Sequence, residues 1–367
     1  MHIMSIKLKD KPFMSGTAYS ALTIALALCS VTIASAAAAA CAETTANDTS
    51  ISSPIQPAVF NQFPLASHIY EPSGIHQLTD GRVIIAEDEA HRPFSLLAFH
   101  PNGSIAATPL LASKIYKKKE PFKQLLKLDD LEGIDTDNKG HIYATTSHSK
   151  TKRGGYSKKR DKLVRFSISD GQITEPIVIT GLREELISQF PALNQKTAGN
   201  GFNIESISLN REQDQLLIGF RTPLSKEGNA FIAVIDNLAP LFTGDTSLQF
   251  APNLIQLNLN GDAIRGMAYD PHLQGYLIIA GPAQKGKTKE NQLWFWKGSG
   301  KFAPKRLTIK GLDNIKNGEG VAPIMLNGQK KIMIISDDGK EKTATPASYL
   351  LINYDQLTAE GKPLRLF

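Results

Sequence analysis

A charged residue recurs at one position of a short motif in this sequence. The motif is a charged residue, then glycine or serine, then an apolar residue. It occurs as Glu132-Gly133-Ile134, Glu205-Ser206-Ile207, Arg265-Gly266-Met267 and Glu319-Gly320-Val321. Three carboxylates held beside one guanidinium either raise a carboxyl pKa or bind a cation. Calcium suits such a set because it takes carboxylate and carbonyl oxygens in flexible geometry, so Glu132, Glu205 and Glu319 are candidate calcium ligands.

Two other interpretations of these residues stay open. They can form salt bridges that join structural repeats, with Arg265 between two glutamates, or a ligand site that holds no metal. The sequence contains no dense run of alternating Asp and Asn with a glycine, as an EF-hand loop has. Any metal would therefore be held by ligands that lie far apart along the chain.

His148 and Glu132 are the candidate catalytic residues. His148 lies between two serines just after an apolar run, and an imidazole beside a carboxyl of raised pKa can transfer protons. The alternative is a histidine whose hydrogen bonds are purely structural. Arg221 and Arg265 are candidate substrate-binding residues, since a guanidinium can hold a carboxylate or phosphate through two parallel hydrogen bonds.

Asp88 and Asp337 complete the predicted substrate-binding set as carboxylates that follow apolar runs. Arg221 can instead cap a strand, and the two aspartates can be ordinary loop residues. The sequence contains no Gly-x-Ser-x-Gly elbow and no zinc-binding helix motif, which argues against a serine hydrolase of that type.

The candidate residues belong to a unit that recurs five times and predicts an all-β fold. Each copy starts with the motif (Ser73-Gly74-Ile75 in the first), passes a turn and enters an apolar run that ends in polar residues. The apolar runs are 83–86, 142–144, 216–220, 276–280 and 332–335, and each is followed by a further strand. We expect a single β-propeller of five or six antiparallel four-stranded blades. One blade can be split between the termini, and 182–190 is a short helical insertion.

A propeller would bring these scattered residues together. Its innermost strands begin, and its second strands end, on the same face around a central channel. Residues at innermost-strand starts are Glu132, Glu205, Arg265 and Glu319, and residues after second strands are Asp88, His148, Arg221 and Asp337. We therefore predict that all eight side chains converge at one mouth of the channel.

Taken together, the motifs resemble those of an uncharacterised family of exported bacterial β-propellers, catalogued as a domain of unknown function. The resemblance covers 71–354 and includes Asp130-Leu131-Glu132-Gly133-Ile134, Ser147-His148-Ser149, Asn203-Ile204-Glu205-Ser206-Ile207, Ile264-Arg265-Gly266-Met267, Ala280-Gly281-Pro282 and Gly318-Glu319-Gly320-Val321. More distantly, the sequence is similar to the exported esterase-like phytase propellers. The resemblance implies a propeller and, by analogy, an ester or phosphoester substrate; that group's full catalytic set is not matched residue by residue.

The first 42 residues are typical of a secretory signal peptide. Lys7, Lys9 and Lys11 precede an uncharged stretch over 12–42 that contains an apolar run and then small residues. An uncleaved membrane anchor and a lipidated Cys41 are the alternatives. Residues 43–58 are typical of a flexible tether, which leaves 59–367 for the propeller. Removal of 1–42 takes away both cysteines and lowers the net charge from +6 to +4, so we expect an exported, periplasmic or extracellular protein without a transmembrane domain.

The sequence also limits the partners. The basic stretches 114–119 and 150–162 are either solvated loops or attract an anionic small molecule or envelope component. Nothing resembles a recognition helix or a base-stacking module, which argues against nucleic acid. Residues 281–288 fit the P-loop pattern, but a predicted strand at 293–296 follows where that motif needs a helix. We therefore expect no nucleotide ligand, and we expect a monomer.

Two functions of different classes remain. The working hypothesis is a hydrolase of phosphate or carboxylic esters, with the three glutamates holding an ion that polarises the substrate or a water. The alternative is a non-catalytic propeller that binds an envelope component or a protein partner at the same mouth.

Overall fold

A computed structural model describes residues 57–88, 92–110, 120–125, 127–195, 201–244, 247–284, 290–359 and 362–363. The predicted signal peptide (1–42), residues 43–56 of the predicted tether and the basic stretch 114–119 lie outside the described residues. In the described part of the chain, no helix is long and apolar enough to span a bilayer.

The described chain forms a five-bladed β-propeller. The first strand, β1 (Val59–Gln62), pairs with the last blade. The first two blades are β2 (Pro72–Gln77), β3 (Val83–Glu87), β4 (Phe94–Phe99), β5 (Ile105–Pro109), and β6 (Leu131–Thr136), β7 (Ile142–Thr146), β8 (Leu163–Ser169), β9 (Gln172–Ile179). The third is β10 (Asn203–Leu209), β11 (Leu216–Thr222), β12 (Ala230–Ile235), β13 (Ile255–Leu257).

The fourth blade is extended and the fifth is closed by the N-terminal strand. The fourth is β14 (Ala263–Asp270), β15 (Gly275–Gly281), β16 (Gln292–Trp296), β17 (Lys305–Thr308), followed outward by β21 (Thr358–Ala359) and β22 (Lys362–Pro363). The fifth is β18 (Gly318–Leu326), β19 (Gln329–Ser336), β20 (Ser348–Asn353) and, outermost, β1. The prediction of a propeller is confirmed, with five blades rather than six and with one blade split between the two ends of the described chain.

Helices are few and short. They are α1 (Phe122–Leu125), α2 (Leu182–Gln189) and α3 (Leu238–Thr243) in the described residues. The predicted insertion at 182–190 is confirmed as α2, whose Leu182 and Leu186 are one turn apart and buried. Glu184 and Glu185 lie in its first turn, where negative charge favours the helix dipole.

The second strand of each blade is apolar because both of its faces are covered. Strands β3, β7 and β15 are buried at every position. Each of the five core clusters joins two neighbouring blades; one, for example, packs Ile84 and Phe94 of the first blade against Val164 and Phe166 of the second. The continuous apolar runs in the sequence thus reflect blades stacked face to face around the channel.

The innermost strands form a closed ring and share one irregularity. Each contacts the innermost strands of both neighbouring blades. Each also has a β-bulge near its start, so that one residue is left without a partner on the second strand. The bulged residues are Ser73, Glu132, Glu205, Arg265 and Glu319. The recurring charged position of the sequence motif is therefore the bulge position of the blade.

Glycine follows the bulged residue in four of the five blades, where the neighbouring blade comes very close. A Cβ on Gly133 would lie 2.6 Å from the backbone nitrogen of Ile207 in the next blade. We expect Gly133→Ala to lower the free energy of unfolding by about 1–3 kcal/mol, as overpacking against rigid backbone does, measured by urea denaturation. Gly155→Ala is the matched control, since its Cβ would meet open space. Equal stability of the two variants would contradict this close approach.

The P-loop-like stretch 281–288 connects two antiparallel strands. β15 ends at Gly281 and pairs antiparallel with β16, which confirms the predicted strand at 293–296. Residues 285–289 lie outside the described chain. A P-loop requires a helix that follows a strand of a parallel sheet, whereas two antiparallel strands flank this stretch. The absence of a nucleotide ligand stays a prediction.

Candidate functional site

The bulges place five side chains in a ring at one end of the channel. We call the end where the innermost strands begin the upper mouth, and the end where they finish the lower mouth. In blade order the ring is Ser73, Glu132, Glu205, Arg265 and Glu319. Because blade order equals chain order, Arg265 lies between two glutamates, and Glu132 lies between Ser73 and Glu205. The structure thus brings the four charged residues of the motif together.

Arg265 joins three blades. Its Nε donates a hydrogen bond to Oε2 of Glu319 at 2.9 Å, and its Nη2 contacts Oε1 of the same carboxylate. The same Nε is 3.3 Å from Oε2 of Glu205. Burial lowers the pKa of the Arg265 guanidinium, while Glu205 opposes this shift. The salt-bridge network left open by the sequence is therefore present, with Arg265 between two carboxylates.

Arg221 binds the other oxygen of Glu205. Its Nη1 donates to Oε1 of Glu205 at 3.1 Å, and its Nε donates to the carbonyl oxygen of Ala283 at 3.2 Å. Asn203 donates to the same Oε1 at 2.6 Å. Both predicted anion-binding arginines are thus directed at protein carboxylates, so their role in substrate binding stays a prediction.

Glu132 differs from the other two glutamates. Within the described contacts its carboxyl has neither an ion pair nor a hydrogen bond. Loss of bulk water, then the negative charges of Glu205, Asp130 and Asp88, raises its pKa well above the ordinary value, and Arg265 only partly opposes this. Glu132 is therefore a carboxyl that keeps its proton to a higher pH than an ordinary glutamate does.

Asp88 and Asp337 are the other carboxyls at this mouth with raised pKa values. Desolvation, followed by the charges of Asp130 and Asp129, raises the pKa of Asp88 to about 8. Water reaches this exposed side chain and screens part of that effect. Desolvation and neighbouring charge raise the pKa of the half-buried Asp337 to about 6. The upper mouth is thus acidic, with carboxyls that titrate near neutral pH.

A polar cluster beside Glu132 escaped the sequence analysis. Arg160 donates to Asp129 and to Asp130, both at 2.8 Å. Asp130 also accepts hydrogen bonds from the hydroxyls of Ser147 and Ser149. The signal available in the sequence was the pair Asp129-Asp130 directly before the motif. Arg160 belongs to the basic stretch 150–162, so part of that stretch neutralises the mouth instead of forming a free solvated loop.

His148 is buried rather than open to the mouth. Its side chain has no exposed surface, and its Nδ1 is 3.1 Å from Oδ1 of Asp161. Its Nε2 is 3.3 Å from the hydroxyl of Thr145. Asp161 is held in turn by the backbone nitrogen of Gly181. Both ring nitrogens therefore have protein partners, an arrangement that favours the structural alternative, and the catalytic role of His148 stays a prediction.

The three glutamates do not present a common set of oxygens to a metal ion. In the described part of the chain, no group of three or more His, Cys, Asp or Glu side chains has the geometry of a metal site. Glu205 and Glu319 direct oxygens at arginines, which leaves Glu132 as the member without a cation partner. These donors do not fit the predicted calcium site in this arrangement, and calcium binding stays a prediction.

Thermal unfolding with calcium and with a calcium chelator distinguishes the salt-bridge network from a three-glutamate calcium site. Because guanidinium groups already neutralise Glu205 and Glu319, we expect the melting temperature to be the same with excess calcium and with a calcium chelator. A ligand that binds the native state alone raises stability by mass action. A rise with calcium that the chelator reverses, and that Glu132→Gln abolishes, would instead establish the three-glutamate site.

A cavity lies at the opposite end of the channel. It has a volume of about 780 Å³ and opens at the lower mouth, where the five innermost strands finish. Its lining includes His76, Asp135, Asn210, Asp270 and Met325, one from each blade. None of the eight predicted site residues lines it. The molecule therefore has a charged ring at one mouth and an open cavity at the other.

Comparison with known proteins supports no family assignment. No protein-family model matches the chain, and no curated protein matches it. The resemblance to an exported propeller family and to phytase-like propellers thus stays an expectation. Solved structures match the chain at low sequence identity and with TM-scores below 0.5.

Three of these structures illustrate the level of similarity. A glucose dehydrogenase-like oxidoreductase from Thermus thermophilus is 11% identical with a TM-score of 0.42, over 80% of this chain and 100% of that one. The Malassezia sympodialis allergen Mala s 1 is 11% identical with a TM-score of 0.45, over 83% and 96%. A Xanthomonas campestris gluconolactonase is 13% identical with a TM-score of 0.37, over 80% and 89%. The activities named for these three proteins are theirs and are not assigned to this chain.

Proposed function

We propose that the protein is a hydrolase of carboxylic esters that works at the upper mouth through proton transfer by Glu132. One observation carries this proposal: Glu132 is the glutamate of the ring without a cation partner in the described contacts, and its pKa is raised well above the ordinary value. A carboxyl that keeps its proton near neutral pH can donate it to the alkoxide that leaves when an ester is cleaved.

The charges of the mouth favour a neutral substrate over a phosphate ester. Arg221 and Arg265, the cations that would attract a phosphate, bind Glu205 and Glu319. Arg160 likewise binds Asp129 and Asp130. The other carboxyls of the mouth repel an anion wherever they are ionised. A carboxylic ester carries no charge at the reacting carbon, so it meets no such repulsion.

Asp337 is the candidate base for the same reaction. With a pKa of about 6 it is mostly ionised at pH 7 and can take a proton from water. The water oxygen forms a bond to the carbonyl carbon, the ester carbon–oxygen bond breaks, and Glu132 protonates the leaving oxygen. The products are an acid and an alcohol, and exchange with solvent returns the proton from Asp337 to Glu132.

The pH dependence of kcat/KM tests this division of roles. We expect a bell-shaped profile. Activity falls as the pH is lowered through about 6, because Asp337 gains a proton and stops acting as a base. It falls again at higher pH, as the pH rises through the raised pKa of Glu132 and this carboxyl loses its proton. Asp337→Asn should remove the acidic limb, and a flat profile around pH 6 in the wild type would contradict the assignment.

A substrate screen tests the proposal itself. The panel contains p-nitrophenyl carboxylic esters of increasing acyl length and p-nitrophenyl phosphate, each with and without calcium. We expect hydrolysis of at least one carboxylic ester, independent of calcium, and none of the phosphate. Glu185→Gln on the exposed side of α2 is the matched control for Glu132→Gln. Activity towards the phosphate alone, or none towards any ester, would overturn the proposal.

A non-catalytic binding protein is the second candidate, and the acidity of the upper mouth favours it. Asp129, Asp130 and Asp88 lie beside the ring, and such a surface attracts a partner with exposed positive charge.

We also propose that the chain is exported. The mass of the protein recovered outside the cytoplasm tests this, since cleavage at the predicted site removes residues 1–42 and retention of them would contradict it.

A further inference from the structure

The lower mouth is built from polar contacts that join the blades. The backbone nitrogen of Met325 donates to Oε1 of Gln77 at 2.6 Å, and Nε2 of Gln77 donates to the Met325 carbonyl oxygen at 2.9 Å. Asp135 accepts a hydrogen bond from the backbone nitrogen of Leu209 at 2.7 Å and lies 2.8 Å from Nδ1 of His76. These contacts connect the first blade with the fifth and the second with its two neighbours, so the cavity wall is held in place before any ligand arrives.

One wall of the cavity is a continuous chain of side chains. Lys330 Nζ is 3.1 Å from Nδ1 of His272, and because lysine can only donate, this nitrogen of His272 is the acceptor. The His272 ring packs edge-on against Tyr354, with the ring centroids 4.7 Å apart. Tyr354 donates to Oδ2 of Asp270 at 2.7 Å. The exposed Lys330 ammonium group thus contacts a side chain of the cavity wall.

The carboxylates of the lower mouth already accept hydrogen bonds from protein groups, whereas its two cations have no carboxylate partner in the described contacts. Asp270 accepts hydrogen bonds from Tyr354 and from the backbone nitrogens of His272 and Leu273. Asp135 accepts from two backbone nitrogens and contacts His76. In the described contacts, by comparison, neither Arg211 nor Lys330 has a carboxylate partner, although both line the cavity. Glu212 shares the turn of Arg211 but does not line the cavity.

The cavity also has apolar surface for the body of a ligand. Tyr269, Pro323 and Met325 contribute to its lining. A volume of about 780 Å³ is far larger than an inorganic ion needs and falls in the range of small-molecule sites. The combination of two cations without a carboxylate partner in the described contacts, apolar walls and this volume suits an organic anion better than a free ion or a neutral apolar molecule.

We propose that the lower mouth is a binding site for a small organic anion whose charged group, a carboxylate or a phosphate monoester, is held by Arg211 and Lys330. The apolar part of the ligand packs against Tyr269, Pro323 and Met325. This site is separate from the upper mouth and does not depend on the proposed esterase activity.

Four probes that differ in one feature at a time test the proposal. Phenylacetate and phenyl phosphate carry the two anionic groups on the same ring, benzyl alcohol lacks the charge, and inorganic phosphate lacks the ring. Binding to the full folded chain is measured by calorimetric titration and by ligand-detected NMR. We expect at least one phenyl anion to bind, with benzyl alcohol and inorganic phosphate binding at least about tenfold more weakly, a factor of ten being about 1.4 kcal/mol. The tighter of the two phenyl anions identifies the charged group.

Variants assign the binding to this cavity. Lys330→Met and Arg211→Met should each weaken the phenyl anion about tenfold, since a charge-assisted hydrogen bond is lost. Lys342→Met, an exposed lysine outside the cavity lining, is the matched control and should leave the affinity unchanged. Glu132→Gln should also leave it unchanged, which separates this site from the esterase proposal. No binding of either phenyl anion, equal binding of benzyl alcohol, or an equal loss in Lys342→Met would overturn the proposal.

Discussion

Arg265→Met is expected to lower the free energy of unfolding by about 3–5 kcal/mol at neutral pH, the cost of removing one partner from a buried ion pair. Glu205 and Glu319 are only 2% and 5% exposed, and the guanidinium lies between them. Without it, two carboxylates from different blades face each other in a desolvated space. Urea denaturation at pH 7 measures the effect.

Two further variants distinguish this charge effect from a simple loss of volume. Arg306→Met removes an exposed arginine from β17 and should change stability by less than about 0.5 kcal/mol. Adding Glu319→Gln to Arg265→Met should recover part of the loss, because one buried negative charge disappears. If Arg265→Met fails to fold, the stabilities of the double variant and of Arg265→Lys are compared with that of the wild type instead. Equal stability of Arg265→Met and Arg306→Met would show that the network does not join the blades.

Glu132→Gln is expected to reduce kcat for the ester identified in the screen by at least about 100-fold, the usual contribution of a positioned general acid. Glutamine keeps the size and polarity of the side chain but has no proton to transfer. The same substitution removes a charge that Glu205, Asp130 and Asp88 disfavour. We therefore expect stability that is unchanged or higher, as measured by thermal unfolding.

The opposite signs of the two effects make this prediction specific. A residue that only supports the fold loses activity together with stability, whereas a general acid loses activity alone. Glu185→Gln should retain both. An active Glu132→Gln variant would assign the chemistry elsewhere, and a variant that is inactive because it unfolds would assign Glu132 to the structural network.

The architecture could be predicted because its signals are local. Apolar runs such as 276–280 are continuous because the strand is covered on both faces. The glycine that follows three of the four charged motif residues reflects the close approach of the next blade. The outermost strands carry weaker patterns. For example, β5 and β17 are mostly exposed, so only the pairing observed in the structure defines them.

The roles of the candidate residues could be predicted only in part. A repeated motif shows that Glu132, Glu205, Arg265 and Glu319 hold equivalent positions, but the partner of each depends on distances around the ring. His148 shows what the sequence pattern does not predict. Its backbone φ of 54° lies in the left-handed region, which a pattern of apolar and polar residues does not reveal. Its ring is directed at Asp161.

The sequence by itself determined the five-fold repeat, the inner strands of each blade and the gathering of charge at one mouth, because these follow from residue type and spacing along the chain. Only the tertiary structure decided which charges are neutralised, which carboxyls have raised pKa values, and where the cavity lies. The lower mouth has no common motif, since each blade ends its innermost strand with different residues. Those properties depend on groups that meet across blades, up to 248 positions apart in the case of Gln77 and Met325.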